Sequence, residues 1–347
     1  MPVFKHFPEW MWRNREMQNF VDWLRIHNSS LPYEKRAGIY GLDLYSMGSS
    51  IQAVIQYLLK VDPELARDAR KRYGCLDPWI ADPAQYGRVA MLKGYAPCES
   101  GVVKMLQDVL ASRIDLSSHE DKTAEGFFDA EMNARLVRDS ERYYRSMYWG
   151  DAESWNLRDQ HMFETLRRLL KVKGGKAIVW AHNSHLGDAR ATGMRDRREW
   201  NLGQLCRENF NSMPGEVAII GMGTHSGTVA AADNWDDDMR IMSVNPSRKD
   251  SWERVMHDTG ISSFLLDLRP GYQDEEVRKA LEEEKLERFI GVIYRPGTER
   301  WSHYVKSSLS RQFDAFVWFD RTSAVQAFEV HQPQEAVERG ETFPFGL

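Results

Sequence analysis

Cysteine is nearly absent from the chain: only Cys75, Cys98 and Cys206 occur in 347 residues. So few, so widely spaced, they read as reduced and buried thiols, which excludes a disulfide framework or a zinc knuckle. No apolar run approaches the length of a membrane span, and the opening "MPVFKHFPEW" lacks the long apolar stretch of a secretory signal. The expectation is a soluble, cytoplasmic protein with no membrane partner. Positive charge is not in excess. The net charge is -5 and the pI about 6.1, so no nucleic-acid partner is expected. The Walker lysine and the dinucleotide G-x-G-x-x-G are both missing, which argues against nucleotide and nicotinamide enzymes. There is no G-x-S-x-G elbow, which excludes the usual α/β serine hydrolase.

What is present supports a real core. The chain is 42% hydrophobic, with 12 Trp, 13 Tyr and 15 Phe, so the aromatics either fill the interior or line a pocket for a bulky, partly apolar ligand. Residues 8–28 read as a helix. "GLDLY" reads as a short strand ending near Asp43. "SSIQAVIQYLLKV" carries Ile51, Val54, Ile55, Leu58 and Leu59 on one stripe. Asp62-Pro63 has the form of a helix cap. Residues 98–175 read as a mainly helical lobe, stopped by Gly174-Gly175. From 176 to 330 the pattern alternates: "AIVWA", "EVAIIGMG", "SFLLDLR", "RFIGVIYRP" and "FDAFVWFD" are candidate strands, with helices "EWNLGQLCRENF" and 275–284 between them. Near-continuous apolar strands alternating with helices predict an α/β fold: a mostly parallel central sheet flanked by helices. The tail after Val330 is polar and expected to be loosely held.

Two histidines end the first candidate strand, in "AHNSH". Neutral imidazole accepts protons near neutral pH, and strand ends of open α/β sheets are where ligands bind. His182 and His185 could therefore act as base and partner, hold a metal with a third ligand, or serve structure through hydrogen bonds. Asn183 could support the turn or bind substrate. "GMGTHSGTVAA" reads as a glycine-rich turn containing His225, either a ligand cradle or a plain hairpin. Asp43 could orient a histidine. Arg158 and His161 share a helix face. Glu299 and His303, with Arg295 and Arg300, lie in "YRPGTERWSHY", a cleft loop or a salt-bridged corner. Arg13 follows two tryptophans in "WMWRN", as a stacked residue or a fixed cation.

Taken in order, "WMWRN", "GLDLYS", "NLRDQHM", "VWAHNSHLGDA", "GTHSGT", "FLLDLR" and "YRPGTERWSHY" followed by "FDAFVWFD" resemble the erythromycin esterase family, over about residues 7–328. The resemblance implies one domain, 1–347, with a helical lobe covering an active-site cleft. It implies a carboxylic ester hydrolase, its characterised members opening the macrolactone of 14-membered macrolide antibiotics and so conferring antibiotic resistance. Water activated by histidine is the implied chemistry, with no cofactor and no metal. Carried over to this chain, His182, His185, Arg13 and Asp43 would be catalytic, and Asn183, His225, Arg158, Glu299 and His303 would bind a small ester or lactone. The family normally opens with a strand ending in "GE..HG". No such motif occurs here, so an N-terminal segment supplied by a longer reading frame or a partner is expected. The alternatives are a hydrolase of another ester or lactone on the same scaffold, or a truncated ligand-binding homologue without catalysis.

Overall fold

A computed structural model describes residues 8–92, 95–116, 121–148, 152–210, 216–272 and 274–328. The polar tail after Val330 lies outside them. The chain divides into two compact units, one made of residues 1–40 and 180–347, the other of residues 41–179.

The first unit begins with helices α1 (Glu9–Trp12) and α2 (Arg15–Ser29). The single helix expected over 8–28 breaks at Asn14. Its backbone is extended and its side chain accepts from Met17 N, so it caps α2 as an N-cap asparagine does.

The second unit is helical. It contains α3 (Met47–Val61), α4 (Pro63–Tyr73), α5 (Pro83–Ala90), α6 (Glu99–Leu116), α7 (Asp121–Ser146) and α8 (Glu153–Lys173). The stripe of α3 buries Ile51, Val54, Ile55 and Leu58, while Leu59 stays exposed. Each such side chain contributes about 1.5–3 kcal/mol on leaving water. Asp62 caps α4 by accepting from Glu64 N and Leu65 N, with Pro63 at the first turn. Gly174, at a φ of 66°, ends α8. "GLDLY" forms no strand. Cys75 and Cys98 are joined in a disulfide with Cα atoms 5.9 Å apart, contrary to the reading of three reduced thiols. Cys206, in the first unit, is free and buried.

The first unit resumes with α9 (Asn183–Leu186), α10 (Leu202–Phe210), α11 (Trp252–His257), α12 (Glu275–Ala280), α13 (Glu299–Ser302) and α14 (Leu309–Gln312). Its strands are β1 (Ile220–Ala231), β2 (Arg240–Val244), β3 (Ser263–Asp267), β4 (Glu284–Arg288), β5 (Tyr304–Ser308) and β6 (Ala315–Thr322). The central sheet has the order β2-β1-β6-β3, and β4 and β5 form a separate pair.

The sheet corrects the expected fold class. Among the described strands only β1 and β6 pair in parallel; β1 with β2, β3 with β6 and β4 with β5 are antiparallel. The central sheet is mixed, not mostly parallel. The cause lies in the connections and in one missing ladder. Only residues 232–239 separate β1 from β2, too few for the crossover of about a dozen residues that a parallel neighbour needs. The apolar run 177–181, which would have supplied a parallel strand, is in no ladder, and Ile178 and Trp180 are 94% and 67% exposed. The glycine-rich stretch expected as a turn is the body of β1. Gly227, at a φ of 129°, stands where β1 pairs with both Thr322 of β6 and Val244 of β2. The core of this unit packs Trp252, Phe313, Phe316 and Trp318 with Leu309 and Met256.

Candidate functional site

The histidine pair sits on a single turn of helix. His182 is the N-cap of α9, and its Nδ1 accepts from Ser184 N at 3.2 Å, with Ser184 Oγ 2.8 Å away. Its Nε2 donates to the Ile290 carbonyl at 3.1 Å. Both ring nitrogens are thus committed, and the imidazole is the neutral Nε2–H tautomer. Burial, reinforced by neighbouring His185, pulls its pKa down to about 4. His185 is buried on the same turn.

The turn is held from several sides. Asn183 Nδ2 donates to the Met222 carbonyl at 2.8 Å and its Oδ1 accepts from Met222 N at 3.2 Å, so the side-chain amide pairs with the edge of β1 as a strand would. The same Nδ2 lies 3.3 Å from Glu287 Oε1. Asn201 donates to the Ser184 carbonyl at 2.8 Å and to the Gly187 carbonyl. Gly203 brings α10 so close that a Cβ there would strike the Leu186 carbonyl.

Next to this turn lies a buried group of acids that the sequence did not single out. Glu253 on α11 and Glu287 on β4 are 2% and 0% exposed. Burial, then the proximity of Glu253, pushes the Glu287 carboxyl up to about 8, against the influence of Ser307, Gln312 and Asn183. Burial also raises Glu253, opposed by the backbone N–H and charge of Arg288. Glu287 Oε2, Ser307 Oγ and both amide atoms of Gln312 are buried without a partner in hydrogen-bond geometry.

Arg288 is the hub beside them, also unforeseen. Its guanidinium donates to Glu299 Oε1 at 3.0 Å and to the carbonyls of Asn245, Thr224 and His225 at 2.7, 2.6 and 3.0 Å. Its backbone N–H donates to Glu253 Oε1 at 2.7 Å. The other oxygen of Glu299 accepts from Asn245 Nδ2 at 2.9 Å, so Glu299 stands here as the counter-ion of Arg288. His303 is 1% exposed. Its Nδ1 donates to the Phe289 carbonyl and its Nε2 accepts from Arg295 N, each at 3.1 Å. Burial lowers its pKa despite the Phe289 carbonyl.

His225 belongs to a second histidine group. Its ring stacks on His257 with centroids 3.6 Å apart and 7° between planes. Ser247 Oγ is 2.6 Å from its Nδ1, and Asp320 Oδ1 is 2.6 Å from His257 Nδ1. Burial, then His257, lowers the His225 pKa. Arg13 pairs with Glu9 at 2.9 Å within the first helical turn of the chain. Among the described residues no group of three or more His, Cys, Asp or Glu could hold a metal ion.

In the helical unit, Arg158 grips Asp43 with two bonds of 3.1 and 2.8 Å and lies over the Tyr45 ring at 4.8 Å. Burial disfavours the charge on Arg158, but Asp43 more than restores it and the pKa rises. The two groups neutralise each other. On the same helix, His161 Nδ1 is 2.8 Å from Asp139 Oδ2. Burial raises the Asp139 carboxyl, but the bond to His161 and the neighbouring Arg138 outweigh it and bring it below the ordinary value.

A mixed sheet with a capped histidine turn against its central strand, backed by buried acids, defines an α/β protein with a buried polar centre. The chain belongs to the erythromycin esterase family, whose sequence pattern matches residues 2–322. The match starts at residue 2 and does not confirm the absence of an opening segment. Three solved structures share the fold. One, described as a succinoglycan biosynthesis protein, has a TM-score of 0.72 at 18% identity over 92% of this chain and 73% of that one. A Bacillus cereus protein has a TM-score of 0.72 at 19% identity over 93% and 75%. The erythromycin esterase EreC, a histidine-to-asparagine mutant in its open conformation, has a TM-score of 0.58 at 15% identity over 91% and 74%. No described helix is long and apolar enough to cross a membrane.

Proposed function

We propose that the protein is a hydrolase of carboxylic esters or lactones, with 14-membered macrolactones as the first substrate class to test. Family membership supports the reaction class. The observation that carries the assignment of residues is the locked state of His182. Its nitrogens hold the cap of α9 and the Ile290 carbonyl, so a proton gained there would break its own turn. We assign proton transfer to His185, the second histidine of the pair, buried on the turn that His182 and Asn183 hold. In the reaction, water oxygen bonds to the acyl carbon and gives a proton to His185. The acyl carbon–alkoxy oxygen bond then breaks, and that proton passes to the departing alkoxide. The buried surroundings strengthen every electrostatic interaction with the developing oxyanion.

The test is to incubate the protein with simple esters, lactones and a 14-membered macrolactone in oxygen-18 water. The expected product gains one water, with the label in the new carboxylate. Tight binding with no labelled product from any ester or lactone would make the protein a ligand-binding member of the family instead.

A further inference from the structure

The acids around β4 do not balance if all are ionised. Glu253, Glu287 and Glu299 are each no more than 5% exposed, and Arg288 is the buried cation beside them. Its guanidinium is given to Glu299 and three carbonyls, and its backbone N–H to Glu253. Among the described residues no cation pairs with Glu287; the groups facing it are Glu253 of α11, Asn183 of α9, Ser307 of β5 and Gln312 of α14. An unpaired carboxylate in so dry a place is strongly disfavoured, and the group takes up a proton instead. The hydrogen-bonding groups around it can serve the acid. Glu287 Oε2, Ser307 Oγ and Gln312 Nε2 and Oε1 are all buried without a partner in hydrogen-bond geometry. A proton on Oε2 adds a donor that Gln312 Oε1 or Ser307 Oγ can accept.

We propose that Glu287 works as a carboxylic acid, not a carboxylate, and that through Asn183 it positions the turn carrying His182 and His185. Asn183 is the joint. Its amide nitrogen carries two N–H donors, one for the Met222 carbonyl at 2.8 Å and one for Glu287 Oε1 at 3.3 Å. A neutral carbonyl oxygen of Glu287 accepts weakly and leaves the bond to Met222 dominant. When the acid gives its proton to solvent, the carboxylate pulls harder on its own N–H of that amide, because bonds to charged acceptors are roughly twice as strong. The amide then leaves the β1 edge, and the first residue of α9 moves with it. Glu287 is thus a positioning residue, and the inference deepens the hydrolase reading without requiring turnover for its test.

The test follows carboxyl and imidazole resonances by NMR through a pH titration of the whole protein, with glutamate and histidine labelled. One glutamate resonance is expected to titrate near pH 8 and to vanish in Glu287→Gln. The His182 and His185 resonances are expected to shift with the same midpoint in the wild type and to hold still there in Glu287→Gln. In Asn183→Ala, Glu287 should still titrate high while the histidines no longer follow. That variant and the wild-type titration decide the matter if Glu287→Gln does not fold. A Glu287 resonance titrating in the ordinary carboxylate range overturns the proposal. So does a histidine shift at that midpoint that survives in Glu287→Gln or in Asn183→Ala. Absence of ester turnover with these titrations intact would remove the hydrolase reading alone.

Discussion

His182 and Glu287 carry opposite pH signatures, and the two can be separated. The folded His182 resists protonation down to about 4, against an ordinary value of 6.5. As pH falls, the unfolded chain binds that proton first. The contribution of His182 is complete above pH 6.5 and is lost as pH falls toward 4. Glu287 behaves in reverse. The folded acid keeps its proton up to about 8, against an ordinary 4.5. Its contribution is complete below pH 4.5 and is lost as pH rises toward 8, at up to about 1.4 kcal/mol per pH unit. Thermal melts across pH should therefore show Glu287→Gln gaining on the wild type as pH rises to 8. His182→Gln should lose the acid-side slope. Parallel curves for wild type and Glu287→Gln over this range would contradict the buried-acid account.

At the scale of elements, α9 depends on its neighbours. A helix of four residues forms one turn and recovers little of its ordering cost from its own bonds. Asn201, Gly203 and the β1 edge supply the rest. Asn201→Ala strips a donor from two backbone carbonyls and is expected to cost about 1–3 kcal/mol in urea unfolding. Gly203→Ala forces a methyl against the Leu186 carbonyl and is expected to cost about 1–3 kcal/mol or more. A neutral result for both would mean that the turn is held otherwise.

These elements also show how far the sequence speaks. The apolar runs at β3 and β6, the stripe of α3 and the Asp62 cap are local signals, and the structure keeps them. The run 177–181 has the same local signal, but a strand exists only where a neighbour completes the ladder, and none does here. β4 ends at Arg288, where the apolar run begins. β2 and β5 escaped notice because "RIMSV" and "YVKSS" are short and only half apolar. The histidine turn itself was visible as two histidines closing an apolar run. Its supports were not: Glu287 meets Asn183 across 104 residues, and the "ER" that precedes "FIGV" looks like any exposed charge pair until β4 buries it.

At the scale of the molecule, each unit carries its own polar centre. The unit of residues 41–179 holds Asp43 with Arg158 and His161 with Asp139. The unit of residues 1–40 and 180–347 holds the capped histidine turn, the buried acids and the stacked His225–His257 pair. The chain belongs to the erythromycin esterase family. In the proposed hydrolysis, the proton is moved by His185 of the turn.

The most direct test compares kcat/KM of the wild type, His185→Gln and His182→Gln on whichever ester or lactone is hydrolysed, with circular dichroism of each. His185→Gln is expected to stay folded and to lose about 10²–10⁴-fold in rate, the usual cost of removing a positioned proton-transfer group. His185→Gln turning over at the wild-type rate would contradict the role given to His185.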